Sequence, residues 1–237
     1  MRTWISLLPG VFIALTATAG APQWGGSATL SSNYLLRGVS QSSNDPALSA
    51  ELHAQFARGL YFSLWSSTSR PREIDSTGAE VGAGMGFVKS LGESWSTRWS
   101  FTHYEALWSP FERFYRYDEF TAELRFRDRL LLAVSWLPNL SRYAPTFGPV
   151  WNRNAYSFEG TWQRSLPAGV QGYVGAGYYD LSHLFGTGYA YGSVGVKRDW
   201  GHWRLDLSYV LTDRSAKRLS YTGAARDRAL LTLTAGF

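Results

Sequence analysis

From Ser27 to Phe237, apolar and polar residues alternate at period two in one segment after another, and in the regular segments the charged residues share one face. At the end of the chain Ala229, Leu231, Leu233, Ala235 and Phe237 take one register, and Arg228, Leu230, Thr232, Thr234 and Gly236 take the other. Just before it, Trp203, Leu205, Leu207, Tyr209 and Leu211 alternate with Arg204, Asp206, Ser208 and Thr212. Leu48, Ala50, Leu52, Ala54 and Phe56 oppose Ser49, Glu51, His53 and Gln55, and Ala79, Val81, Ala83, Met85 and Phe87 oppose Glu80, Gly82, Gly84 and Gly86. Phe120, Ala122, Leu124 and Phe126 likewise oppose Glu119, Thr121, Glu123 and Arg125. Successive side chains on a strand point to opposite faces, so each segment reads as a strand with one apolar and one polar face. No stretch repeats apolar residues at helical spacing for three turns, and the fold class is all-β. Segments 60–66, 130–137, 170–179 and 189–197 alternate less cleanly, and their faces stay unassigned.

Five tight connections punctuate the pattern: Arg58-Gly59, Leu91-Gly92, Arg127-Asp128-Arg129, Pro167-Ala168-Gly169 and Trp200-Gly201. Most carry a glycine where a turn needs positive φ. Six longer polar segments lie between them, near residues 40–46, 69–76, 106–112, 139–153, 181–187 and 213–222. Short and long connections in alternation separate about twelve strands. That is the organisation of a transmembrane antiparallel up-and-down β-barrel, with short periplasmic turns, longer extracellular loops and both termini on the periplasmic side.

A soluble sandwich or lipocalin shows the same period, so further features must choose the solvent. Only 17% of the residues are charged, against 45% hydrophobic, which is less charge than a soluble surface usually carries. Twelve strands about 4.8 Å apart, tilted near 40°, enclose a backbone radius of roughly 12 Å. Small apolar residues could not fill that bore, so the charged face is expected to point in. Aromatic residues gather beside the tight turns, at Phe56, Phe62, Phe87, Trp95, Phe126, Trp162, Trp200 and Trp203, as a periplasmic girdle would. A matching outer girdle is expected to include Tyr34, Phe101, Trp136 and Tyr209. The chain also ends on Phe237 with apolar residues at alternate positions, which resembles the C-terminal signal read by the outer-membrane assembly machinery.

The first segment reads as an export leader. Arg2 precedes an apolar stretch from Trp4 to Leu15, and Ala17-Thr18-Ala19 supplies a small-x-small cleavage site. Residues 1–19 are thus expected to be removed, leaving 20–237 as a single barrel domain. The absence of cysteine rules out disulfide scaffolds, Cys-ligated metal and thiol catalysis. The modest positive charge of an exported chain gives no reason to expect a nucleic-acid partner.

Ser32-Asn33-Tyr34-Leu35-Leu36-Arg37-Gly38-Val39-Ser40-Gln41, then Asn44-Asp45-Pro46-Ala47-Leu48, then Gly59-Leu60-Tyr61-Phe62-Ser63-Leu64-Trp65, resemble the opening strands of the TorF-type porin family of proteobacteria. Weaker similarity continues through Gly177-Tyr178-Tyr179-Asp180 to Phe237. The chain departs from the family pattern at His103-Tyr104-Glu105 and Trp108-Ser109-Pro110. The resemblance implies an outer-membrane barrel in a Gram-negative bacterium and a channel of unspecified solute.

On the inward register the pattern places Arg37, Arg98, Arg125, Arg204 and Arg228 against Glu51, Glu80, Glu119, Glu123, Glu159 and Asp206, with His53 among them. The expected function is passive diffusion of ions or small solutes through a narrow polar lumen. The alternative is a barrel plugged by salt bridges among these same residues. Arg37 is the leading candidate, at the outer mouth, with a salt bridge to Glu51 as its structural reading. Whether the bore is open rests on how the loops near 106–112 and 139–153 fold. An outer-membrane lipid hydrolase is the rival class, for which His103 with Glu105 is the constellation to consider; no G-x-S-x-G elbow accompanies it. No cofactor is expected. Asn44-Asp45 with Asp75 could hold calcium weakly, although Asn-Asp-Pro is first a turn signal. Expected partners are outer-membrane lipid and lipopolysaccharide, whose phosphates Arg70, Arg72, Arg214, Lys217, Arg218 and Arg226 could bind.

Overall fold

The computed structural model describes residues 21–70, 78–108, 115–144, 148–220 and 223–237. Residues 1–19, read as a leader, and Arg72, Asp75 and most of the connection near 106–112 lie outside these residues. β1 (Gln23–Ser31) is followed by two very short strands, β2 (Leu35–Leu36) and β3 (Val39–Ser40), that pair only with each other. The wall then continues with β4 (Ala47–Gln55), β5 (Leu60–Ser69), β6 (Gly78–Ser90), β7 (Trp95–Leu107), β8 (Tyr117–Phe126) and β9 (Leu130–Ala144). It is completed by β10 (Gly148–Ser165), β11 (Val170–Asp180), β12 (Tyr189–Trp200), β13 (Trp203–Thr212) and β14 (Arg228–Gly236). Each wall strand pairs antiparallel with its neighbours in chain order, and β1 pairs with β14, which closes a twelve-stranded barrel. Two short helices, α1 (Ser182–Phe185) and α2 (Arg214–Leu219), sit in the long connections.

All five tight connections lie where the turn residues put them. Arg58 and Gly59 have φ of 63° and 84°, and Ala168 and Gly169 have 59° and 71°. Two successive left-handed residues reverse the chain with the twist that flanking strands require. Two expectations at the other end are corrected. The first wall strand stops at Ser31 and does not run on to Arg37, and the segment 139–153 is mostly strand. β9 spans 15 residues and β10 spans 18, well beyond the roughly 9–11 that cross a bilayer. Register shifts near Val150, Arg153 and Ala155 bend this extension.

The outer face is a band of exposed Leu, Val, Phe and Trp, including Leu64, Leu132, Val134, Val194, Leu205, Leu207 and Leu231. An apolar surface this continuous is stable against hydrocarbon and not against water. Near the short turns Phe62, Phe87, Trp95, Trp162, Trp200 and Trp203 are exposed, joined by Trp24. Toward the other end Phe101 and Phe120 pack at 4.9 Å between ring centroids, and Phe120 stacks on Trp136 at 5.4 Å. Tyr34 is not part of this outer ring; it is buried inside the barrel. The faces of β13 give a direct check. Leu207 is 50% exposed on the outside, whereas its neighbour Ser208 is buried inside. Leu207→Arg is expected to cost about 2–4 kcal/mol in folding into lipid vesicles, and Ser208→Thr much less. Equal costs would contradict the assigned faces.

Inside, four tyrosines lie flat against the wall, each over a glycine of the adjoining strand. Tyr61 covers Gly86, Tyr104 covers Gly82, Tyr173 covers Gly195 and Tyr191 covers Gly177, each pair directly opposite in register. A Cβ on Gly195 would stand 2.6 Å from the Tyr173 ring, so the glycine is what gives the ring its place.

The half of the bore near the long loops departs from the expectation of a wet interior. Leu137, Leu140 and Ala155 point inward and have no exposed surface. They pack with Tyr117, Tyr179, Leu181, Leu184, Tyr189, Ala216 and Ala225. The helices α1 and α2 supply Leu184 and Ala216 to this cluster. Asp213 caps α2 by accepting from Ala216 N at 2.8 Å, and its other oxygen accepts from Ala190 N at 2.9 Å.

Candidate functional site

The inner faces of the strands gather the polar residues, and across them lies a hairpin formed by residues 33–43. Its tip is a two-residue turn, with φ of 50° at Arg37 and 80° at Gly38 between β2 and β3. The hairpin is stitched to itself. Asn33 Oδ1 accepts from Ser40 Oγ at 2.7 Å and Ser42 Oγ at 3.2 Å, Tyr34 N donates to Ser42 Oγ at 3.0 Å, and Gln41 N donates to Tyr34 O at 2.8 Å. At its base Ser43 and Asn44 both take left-handed φ, 60° and 69°.

This hairpin carries Arg37 into the bore. The side chain is fully buried, its Nη2 donates to Glu119 Oε1 on β8 at 2.6 Å, and its guanidinium carbon lies 4.6 Å from the Tyr179 ring centre on β11. The expected partner Glu51 is therefore replaced by Glu119. Tyr34 OH donates to Glu80 Oε2 on β6 at 2.8 Å, and Tyr117 OH reaches the other oxygen of Glu80 at 3.2 Å. On the far side of the tip stand Thr212 and Tyr191. The hairpin thus spans the bore from β6 and β8 to β12 and β13.

The remaining inward residues form pairs on the wall. Arg98 binds Glu123, and Tyr191 OH donates to Glu159. Arg204 holds Asp199 through two bonds of 2.6 and 2.9 Å, and Asp206 accepts from Tyr173 OH at 2.8 Å. Glu51 lies 3.7 Å from His53. Arg125 faces inward on β8 by register with Glu123. Arg228 is placed differently: it sits at the rim, bonded to Asn44 and to Ala224 O at 2.6 Å, where it secures the hairpin's base. Below the hairpin, Leu36, Glu51, Tyr61, Trp65, Arg98 and Glu123 border a cavity of about 50 Å³, room for a few waters.

Sequence reasoning missed several of these groups. Lys197, whose Nζ donates to Gln163 Oε1 at 2.9 Å, lies in a segment of unclear register. Arg142, over the rings of Tyr115 and Tyr117 at 5.4 and 5.2 Å, lies in a stretch read as loop. The inward tyrosines carry no charge, and only the glycines opposite them could have marked their positions.

His103 and Glu105 do not come together as a reactive pair. Both lie on the outer face, just past Phe101. His103 Nδ1 is 2.6 Å from Asp118 Oδ1, Asp118 accepts from Asn139 Nδ2 at 2.8 Å, and Glu105 binds Arg116. Among the described residues no hydroxyl nucleophile is bonded to this histidine. Of the basic residues in the long connections, Arg70 pairs with Asp45 at 3.3 Å and Lys217 with Asp227 at 2.9 Å. The Lys217 hydrogen bond holds the Asp227 carboxyl below its ordinary range. No group of three or more His, Cys, Asp or Glu side chains is placed to hold a metal among the described residues.

A closed twelve-stranded antiparallel barrel with an apolar outside, a polar inside and short turns at one end is the porin-like class of outer-membrane barrel fold. The chain belongs to the Gcw_chp family, bacterial proteins of unknown function, whose pattern it matches over residues 16–237. Its fold is similar to that of a KdgM porin, solved in complex with disordered oligogalacturonate, at 13% identity and a TM-score of 0.53, covering 91% of this chain and 99% of the other. It is also similar to the NanC porin, at 10% identity and a TM-score of 0.54, covering 90% and 98%. No curated protein matches the sequence.

Proposed function

We propose that this protein is an outer-membrane porin, a passive diffusion channel for ions or small solutes through a narrow polar lumen, exported by its leader and of the TorF type. Buried polar atoms in the lumen carry the reading. Glu51 Oε1, Gln55 Nε2, Glu159 Oε2 and Gln171 Oε1 are buried and have no hydrogen-bond partner among the described residues. In a dry plug each would cost about 1–3 kcal/mol, so water in the bore is the favoured partner. The residues proposed to line it are Arg37, Glu51, His53, Glu80, Arg98, Glu119, Glu123, Arg125, Glu159, Arg204 and Asp206, with Arg228 at the rim. Lipopolysaccharide contact by the exposed basic residues, and recognition of Phe237 by the assembly machinery, belong to the same reading.

The apolar packing around Leu137 and Leu140 favours a second reading, a non-conducting barrel. Planar-bilayer recording of the mature protein under a salt gradient separates the two. Discrete steps smaller than those of wide 16–18-stranded porins are expected, and Glu51→Gln is expected to move the reversal potential toward anion preference. A folded barrel that gives no steps under any voltage favours the plug.

A further inference from the structure

Resting on the channel reading, we infer that the hairpin of residues 33–43 is a gate, a prefolded flap latched at its tip and hinged at its base. Three observations support a moving part over a fixed constriction. The hairpin's own hydrogen bonds, centred on the Asn33 side chain, join its two arms to each other and not to the wall. Two side-chain latches hold it to the wall, Arg37 on Glu119 at the tip and Tyr34 on Glu80 near the base. Main-chain bonds tie its returning strand to the neighbouring long connections: Ser40 N donates to Ala224 O at 3.0 Å and Arg70 N to Gln41 O at 2.8 Å.

The latches are of a kind that can open. Arg37 makes one hydrogen bond, while its Nε and Nη1 are buried without a partner. Release gives up one charge-assisted bond and a ring face, a loss that water in the bore offsets in part by hydrating both groups. Ser43 and Asn44, both left-handed, form the corner about which the hairpin's base turns. With the tip on Glu119 the bore is obstructed between β6–β8 and β12–β13. With the tip released, the crossing from Glu119 to Thr212 is cleared, and the apolar cluster around Leu137 and Leu140 is what remains at the long-loop end.

The chain has no cysteine, which permits a clean lock. A Cβ at Gly38 would stand 2.7 Å from Thr212 Cγ2, within reach of the roughly 3.8 Å Cβ separation a disulfide needs. Gly38→Cys with Thr212→Cys is recorded in planar bilayers oxidised and then after reductant. The expected result is a channel closed when oxidised and restored on reduction. Arg37→Ala is the companion variant. A gate that loses its latch gains open probability, by about tenfold or more; a fixed constriction that loses a side chain gains step size with unchanged dwell times. Equal conduction by the oxidised and reduced double variant overturns the gate and leaves the channel standing. Should the double variant fail to fold, unchanged dwell times in both Arg37→Ala and Glu119→Ala overturn the gate. Absence of steps in the wild type and in every variant overturns the channel reading and the gate with it.

Discussion

Gly26→Val is expected to abolish the folded barrel. β1 and β14 share the shortest register in the wall, from Ser27 with Gly236 to Ser31 with Thr232, and Gly26 extends that seam by exchanging backbone bonds with Phe237 at 3.0 and 3.1 Å. A Cβ on Gly26 would stand 2.5 Å from Phe237 Cζ and 2.6 Å from Glu51 O. The phenyl ring could swing aside, but the Glu51 carbonyl belongs to the β4 backbone and cannot. Valine would therefore force β1 away from one of its two neighbours. Overpacking in a close-packed site typically costs about 1–3 kcal/mol, and here the cost falls on the pairing that closes the barrel. Unheated gel electrophoresis in mild detergent reads the outcome as loss of the compact, fast-migrating species. Ala28→Val, on the same strand and face but exposed, serves as control and is expected to migrate as wild type. A compact Gly26→Val species would show that the seam tolerates a side chain there.

The second large effect is expected at Leu140. It points into the bore, has no exposed surface and packs in the cluster with Tyr117, Tyr179 and the two short helices. Leu140→Ala leaves a cavity that the rigid wall cannot collapse into, at a cost of about 2–5 kcal/mol. Leu132→Ala removes the same atoms from the same strand, but Leu132 is 43% exposed on the outside, where lipid refills the space. Denaturant unfolding of both variants from the same detergent should show a large shift of midpoint for Leu140 and a small one for Leu132. Equal shifts would mean that the outer half of the bore is not a packed interior.

The contrast between those two leucines also marks what the sequence disclosed. Leu132 belongs to the half of the wall that meets hydrocarbon on one side, and there the period of two is enforced by both solvents. That is why the faces of β4, β6, β8, β13 and β14 were legible, together with the five short turns. Above that level the outside is wet and the inside is filled by loops, so the constraint on the outward residues is lifted. β9 and β10 continue there through Asn139, Ser141, Arg142 and Asn152, a composition that reads as loop. Leu140 breaks the earlier register because of the shift beside Arg153. The hairpin was hidden for another reason. Leu35, Leu36 and Val39 have the composition of a strand continuing from β1, and only Arg37-Gly38, with Gly second in a two-residue turn, signalled a reversal. That Arg37 points inward was legible, but its partner was not, because Glu119 is brought to it by a fold-back that no local spacing records.

The tyrosines that lie across glycines of the adjoining strand carry a consequence for how such a wall can evolve. Gly177 and Tyr191, or Gly195 and Tyr173, fill one volume between them, so neither can change alone. A side chain arriving at the glycine would tip the ring into the bore and narrow it, whereas a small residue replacing the tyrosine would leave a dent that widens it. Descendants of this barrel should therefore exchange such pairs together or swap them across the two strands. Each exchange would shift the bore's contour sideways with its circumference unchanged, so that solute preference could drift while strand number stays constant.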